Sequence, residues 1–204
     1  MLRIYLNTCL VAFGLHFSTP HCAANPEPDD AFFVQSWDTE NGLPHGAVTA
    51  VARSTDGYLW VGTRGGLARF DGVRFKQFTK ATVPTLETDS IQSMVADPRG
   101  GVWVGTRDGI LLRANGEEFE AVDLRFGTNK APITSISIDG AETVWVATSG
   151  RGVIRIRGAK QDFFDQSSGL ESDKVSQILC DGSNHTWALA RGILTVFMAI
   201  GGHR

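Results

Sequence analysis

Val48-Thr-Ala-Val-Ala-Arg-Ser-Thr-Asp-Gly-Tyr-Leu-Trp60-Val-Gly-Thr-Arg-Gly-Gly-Leu-Ala-Arg-Phe-Asp-Gly72 is a stretch that the chain writes four times. It returns as Ile91 to Gly116 around Trp103, as Ile133 to Gly158 around Trp145, and in a worn form as Val175 to Phe197 around Trp187. The tryptophans follow one another at intervals of 43, 42 and 42 residues, and each stands 12 residues after the β-branched residue that opens its copy. A period near 42 that holds several short strands is the signature of propeller blades. The fold class is therefore all-β: an array of four-stranded antiparallel blades, about four copies, as an incomplete longer propeller or a ring of four.

The second copy shows how one repeat becomes one blade. Ile91 to Val95 alternates with period two, as a half-buried strand requires. Asp97-Pro-Arg-Gly100-Gly101 is a turn, Val102 to Thr106 a second strand, and Asp108-Gly109 a turn into a third, Ile110 to Arg113. Asn115-Gly116 is a strong hairpin signal, leading to a fourth strand around Phe119 to Val122. Blade copies are thus expected near 48–80, 91–123, 133–165 and 175–197.

The columns of the repeat have structural readings. Gly62 and Gly105, with Ala147 in the third copy, follow a bulky residue and let neighbouring blades come close; Thr63, Thr106 and Thr148 belong to the same reading. Asp97, Asp139 and Asp181 precede turns whose amides they can cap, with Ser54 in the first copy. Each aspartate stands alone in its blade, unlike the dense oxygen loops of calcium sites. Burial of about 150–250 Å² per tryptophan explains the Trp column through packing, although exposed rings could also stack sugars.

With 204 residues, 42% hydrophobic and 20% charged, the chain is long enough for a sizeable core. Net charge is −3 with no Lys or Arg run, so a nucleic-acid partner is not expected. No cofactor or metal is expected either. Met1-Leu-Arg3, the apolar stretch Ile4 to Phe17 and the small residues of Cys22-Ala23-Ala24 form a signal peptide over residues 1–24. About 14 apolar residues fall short of the roughly 20 that span a bilayer. Export to the periplasm is expected, with the propeller domain over 25–204 and no transmembrane segment after cleavage. Cys180 would then be the one remaining cysteine, in a strand column that holds Ala52, Ala96 and Ile138 elsewhere, so it reads as a small buried hydrophobe.

Phe32 to Leu43 resembles Phe163 to Leu170, the end of the third copy, and is expected to act as a closing strand over 32–43. Against a designed ring of four, the fourth copy is degraded. Trp187-Ala-Leu-Ala-Arg-Gly192 is one residue shorter than its counterpart, and the apolar tail after it lacks a turn signal. Neither end shows a cap of the kind terminal repeats need. This pattern reads as a longer array interrupted inside its fourth blade.

Gly42-Leu43, then Asp56-Gly-Tyr-Leu-Trp60-Val-Gly-Thr-Arg-Gly-Gly66-Leu-Ala-Arg-Phe-Asp-Gly72, resembles the two-component regulator propeller repeat. That resemblance covers about Phe32 to Phe197. It implies a periplasmic sensor region, in relatives typically a seven-bladed propeller, often two in tandem. A β-sandwich, a membrane helix and a histidine kinase or diguanylate cyclase follow it there, anchoring the whole in the inner membrane. Several such relatives sense carbohydrate fragments. Kinase or cyclase activity does not carry over, because Gly116-Glu-Glu-Phe119 is a hairpin and His45 and His185 sit in turns.

The expected function is a signal-sensing, ligand-binding module that works through a membrane sensor partner and takes a small molecule or carbohydrate. Its ligand would meet the loops before each opening strand: Gly42 to Gly46, Leu86 to Ser90, Asn129 to Pro132 and Glu171 to Lys174. Candidate contacts there are His45, Asp89, Lys130, Asp173 and Lys174. Alternatives are a truncated fragment without independent function, or a propeller lyase using His45 and His185, the two histidines placed for catalysis.

Overall fold

Alternating apolar and polar residues between Gly-rich turns fold as short strands, and the repeat sets their order. The structure, a computed structural model, describes residues 33–126, 129–183 and 185–198. The first sheet runs β1 (Val48–Arg53), β2 (Leu59–Thr63), β3 (Gly66–Phe70) and β4 (Phe75–Phe78). The second holds β5 (Ile91–Ala96), β6 (Val102–Thr106), β7 (Leu111–Asn115) and β8 (Glu118–Val122). The third holds β9 (Ile133–Ile138), β10 (Val144–Thr148), β11 (Val153–Arg157) and β12 (Lys160–Phe164). The fourth has three strands, β13 (Val175–Cys180), β14 (His185–Ala190) and β15 (Ile193–Met198). All pairings within these sheets are antiparallel between sequence neighbours, as tight turns dictate.

The chain divides into two compact units, Met1–Gln35 and Ser36–Arg204. In the first, residues 33–35 are described and carry no regular structure. The signal peptide expected over 1–24 lies outside the described residues.

Within the second unit, each sheet turns a tryptophan face towards the next sheet and a valine and isoleucine face towards the one before. Trp60 and Leu67 pack on Ile91, Val102 and Val104. Trp103 and Leu111 pack on Ile133, Val144 and Val146, and Trp145 and Val153 on Val175, Ile178 and Ala188. Trp60, Trp103 and Trp145 are 0%, 6% and 5% exposed, so these rings are core and stack no sugar. Burying one such ring is worth about 4–6 kcal/mol as an upper bound, at about 25 cal/mol per Å².

The glycine column sets the spacing. A Cβ on Gly62 would stand 2.6 Å from Ile91 Cγ2, and one on Gly105 would stand 2.4 Å from Ile133 Cγ2. Ala147 takes this place against Val175. In the fourth sheet the place belongs to Leu189, and no sheet covers that face among the described residues. Leu179 and Leu194 there are 57% and 60% exposed.

A closing strand was expected over 32–43, and among the described residues 33–43 no strand forms. Residues 33–38 carry no strand and 39–42 are a turn, which the Asp38 carboxylate holds by accepting from the amides of Glu40 and Asn41 at 2.9 and 3.3 Å. Trp37 then packs edge-on to Phe70 at 5.3 Å and Phe75 at 6.4 Å, and Leu43 joins Val61 and Ala68. The segment is spent on covering the first sheet's outward face. It is a cap of the kind the sequence was not expected to contain.

Gly105→Ala should lower stability by about 1–3 kcal/mol through overpacking against Ile133. Gly140→Ala, where nothing lies within 4 Å, should change it by less than about 0.5 kcal/mol. Urea unfolding of both variants checks the pair.

Candidate functional site

At one end of the strands, the entry loops of the first three sheets are each tied to the turn between the second and third strands of the same sheet. Arg64 N donates to Ala47 O at 3.2 Å, Arg107 N to Ser90 O at 2.9 Å, and Ser149 N to Pro132 O at 2.9 Å. The Thr column closes these turns. Thr63 Oγ1 donates to Gly66 O at 2.8 Å, Thr148 Oγ1 to Gly152 O at 2.9 Å, and Thr106 Oγ1 accepts from Ile110 N at 2.9 Å. Threonine serves here as a turn clasp, not as a small spacer.

Neighbouring loops are also linked to one another. Lys130 Nζ meets Glu87 Oε2 at 3.2 Å, joining the loops that enter the second and third sheets. Arg151 Nε donates to Asn129 O at 3.2 Å, and its guanidinium lies over the Phe126 ring at 6.0 Å. Asp173 O accepts from Gly150 N and Gly152 N at 2.9 and 2.8 Å, joining the third and fourth sheets. Beside Glu87 and Lys130 lies a cavity of about 240 Å³, walled by Ile110, Leu124 and Phe126.

The five candidates divide by what their side chains do. Asp89 Oδ1 accepts from Lys80 N at 2.6 Å and Asp173 Oδ1 from Gln166 N at 2.8 Å, so both carboxylates hold loops in place. His45, Lys130 and Lys174 are exposed. His45 Nδ1 accepts from Ala47 N at 2.8 Å, which leaves Nε2 to face outward. Glu87 and Arg151 join this end, and nothing in the repeat marks either position.

His185 lies at the other end, at the start of β14, with Nδ1 3.4 Å from Asp181 Oδ2. The two histidines considered for lyase chemistry therefore sit at opposite ends of the strands. Among the described residues, no three His, Cys, Asp or Glu side chains gather as metal ligands. Cys180 is half-buried with Sγ 3.5 Å from Thr186 Oγ1, and burial pushes its thiol pKa up.

At that other end the recurring aspartates do more than cap turns. Asp139 Oδ1 accepts from Ala141 N and Thr143 N, both at 2.9 Å, while Oδ2 accepts from Trp145 Nε1 at 3.1 Å. Asp181 does the same for Ser183 N at 2.8 Å and Trp187 Nε1 at 2.9 Å. In the first sheet Ser54 Oγ accepts from Trp60 Nε1 at 3.2 Å. The constant Asp-to-Trp spacing of six residues was the available signal. The second sheet departs: Arg113 Nε takes Asp97 Oδ2, and buried Trp103 Nε1 has no hydrogen-bond partner.

Hydrogen bonds from the Trp187 indole and the Ser183 amide hold Asp181 at a pKa of about 2. Burial raises the pKa of Asp139 and Asp97, but their donors outweigh it and both lie below the usual range.

With its repeats, tight sheet spacing and variable loop end, the molecule is a β-propeller module in an open array. Residues 42–65 and 85–108 match the family described as "Two component regulator propeller". Among solved structures, the extracellular domain of the hybrid two-component system BT3049 from B. thetaiotaomicron is similar. It is 21% identical over 80% of this chain and 25% of that domain, with a TM-score of 0.71. Virginiamycin B lyase from Staphylococcus aureus is 15% identical over 79% of this chain and 58% of the lyase, with a TM-score of 0.60. A curated relative, the photosystem II assembly lipoprotein Ycf48 of Synechococcus sp. (strain RCC307), is 27% identical over 89 residues. That match covers 42% of this chain and 27% of Ycf48. The chain thus spans about a quarter of the BT3049 domain and of Ycf48, and the structural likenesses establish a shared fold.

Trp145→Phe should cost more stability than Trp103→Phe by about 1–2 kcal/mol, because only the first loses a hydrogen bond to a carboxylate. Calorimetry of both variants tests this. The folded pKa of Asp181 is depressed, so its stabilising contribution is full above about pH 4 and fades as pH falls towards 2. The melting temperature of the wild type should drop across that window, and Asp181→Asn should shrink the drop.

Proposed function

We propose that this chain is the signal-recognising propeller region of an exported two-component-type receptor. It takes a small polar ligand, such as a carbohydrate fragment, at the loop end. Four entry loops of unlike sequence gather at this end, three of them standing on a backbone bond that repeats from sheet to sheet, and this observation carries the reading. A rigid frame with variable loops is how recognition surfaces are commonly built. The exposed Lys130, Lys174 and His45, with Glu87 and Arg151, offer donors and acceptors suited to hydroxyl and carboxylate groups.

The repeat family and the shared fold with an extracellular two-component domain support the same reading. Export agrees with the leader expected over residues 1–24. Reporting the bound state falls to a membrane partner, or to segments outside this sequence. A lyase reading finds no support in histidines held at opposite ends of the strands.

A thermal-shift screen of the full chain against oligosaccharides and small polar metabolites should yield ligands that raise the melting temperature. Lys130→Ala and Lys174→Ala should each weaken such a ligand about tenfold or more, the value of a charge-assisted hydrogen bond. Lys76→Ala, on β4, should leave the affinity unchanged. A screen without hits, or hits indifferent to both loop lysines, would count against the proposal.

A further inference from the structure

Three arginines hold one place in the first three sheets, across from the tryptophan: Arg69 on β3, Arg113 on β7 and Arg155 on β11. Two of them are met by a carboxylate of their own sheet. Arg113 Nε donates to Asp97 Oδ2, and Arg155 donates through Nε and Nη2 to Asp162 Oδ2 at 3.0 and 2.8 Å. Arg69 has neither acid. Ser54 takes the turn position of Asp97, and Lys76 stands across from Arg69 where Glu120 and Asp162 stand across from the other two. Both replacements belong to the described first sheet itself.

Like charges directly across a strand pair destabilise it. Here Lys76 turns away to Glu117, in the turn between β7 and β8 of the second sheet. Arg69 stays half-buried, its guanidinium over the Tyr58 ring at 4.4 Å and the Trp60 ring at 5.7 Å. Among the described residues it makes no ion pair. Stacking on aromatic faces fixes the plane of the fork and leaves its edge N–H groups for an acceptor.

Arg69 lines a cavity of about 510 Å³ at the end of the strands opposite the entry loops. That size lies in the range of small-molecule pockets, about 300–1,000 Å³. Phe75 is one wall, and the cavity is flanked by two ion pairs, Arg74 with Asp71 at 3.6 Å and Lys76 with Glu117. Three cations and two carboxylates therefore line it, and the one positive charge in excess is that of Arg69.

We propose that this cavity is a second binding site, for a small hydroxylated carboxylate. The ligand's carboxylate meets the Arg69 fork as the Asp162 carboxylate meets Arg155, and it cancels the excess charge. Hydroxyls on its body donate to Asp71 and Glu117, which keep lone pairs beyond their ion pairs. A dianion would leave the cavity net negative, so sulfate and phosphate suit it less. None of these residues belongs to the loop end, and the two sites stand or fall separately.

The probe is D-gluconate, one carboxylate on a chain of hydroxyls, and its neutral twin is D-glucitol. Titrated at constant ionic strength into the ¹⁵N-labelled full chain, gluconate should shift the Arg69 Nε–H resonance saturably, while glucitol leaves it in place. That resonance is assigned by its loss in Arg69→Gln, a change that should weaken gluconate about tenfold or more. Lys76→Asp should abolish binding in a protein that still melts cooperatively, because it gives Arg69 the acid that Arg155 already has. If Arg69→Gln fails to fold, Lys76→Asp carries the test. No saturable shift, an equal shift with glucitol, equal binding of sulfate, or gluconate binding that survives Lys76→Asp would each overturn the proposal.

Discussion

At Gly62 and Gly105 the next sheet approaches to a distance that no side chain would tolerate, with a β-branched methyl 2.6 and 2.4 Å from where a Cβ would stand. That contact sets how far apart the sheets lie near the opening strands. Strand hydroxyls then reach across: Thr49 Oγ1 donates to Ile91 O at 2.9 Å and Thr134 Oγ1 to Val175 O at 2.7 Å. Ser137 Oγ accepts from Cys180 N at 2.9 Å. On the same strands, two residues before each small residue, a tryptophan packs into the neighbouring sheet.

The tryptophan faces are pinned as well as packed. A ring that size can tilt in several ways inside an apolar slot, but an indole N–H held by a carboxylate fixes one tilt. The same carboxylate closes the turn before the strand, so turn and ring are positioned together in the third and fourth sheets. The second sheet shows what happens when a stronger donor competes. Arg113 is the nearest guanidinium to Asp97 and displaces the indole, and Arg99 adds a contact at 3.5 Å. In the third sheet Arg155 turns to Asp162 on β12, which leaves Asp139 to its tryptophan. An acid stands across from each of these arginines, Glu120 from Arg113 and Asp162 from Arg155, but only Asp162 takes its arginine away from the turn.

Much of this was legible in the sequence because the repeat superimposes four independent samples of one environment. Strands β5 to β8 fall within a residue or two of their expected limits, since alternation and Gly-rich turns act locally. The aspartate's turn role was legible for the same reason, while its bond to the ring six residues on was not sought. What escaped the reading acts between repeats or occurs once. Phe32 to Leu43 looked like a strand because its letters match Phe163 to Leu170. Yet Trp37 has no counterpart there, and the half-buried Phe70 and Phe75 rings give it a better place to bury its surface. At the loop end, the pairing of Glu87 with Lys130 joins residues 43 apart in single, unlike loops, where periodicity carries no information.

The fourth sheet shows where the repeat stops dictating its surroundings. Leu189 replaces the small residue, so a following sheet could not approach in the register of the other three. Val196 stands across from Trp187 where Arg69, Arg113 and Arg155 face the earlier tryptophans. The first change removes the small residue that lets a neighbouring sheet approach; the second removes an arginine that serves its own sheet. The inner strands of the sheet are nevertheless well buried, with Ala188 and Ala190 at 0% exposure against the third sheet. The sheet is thus committed on one face and altered on the other.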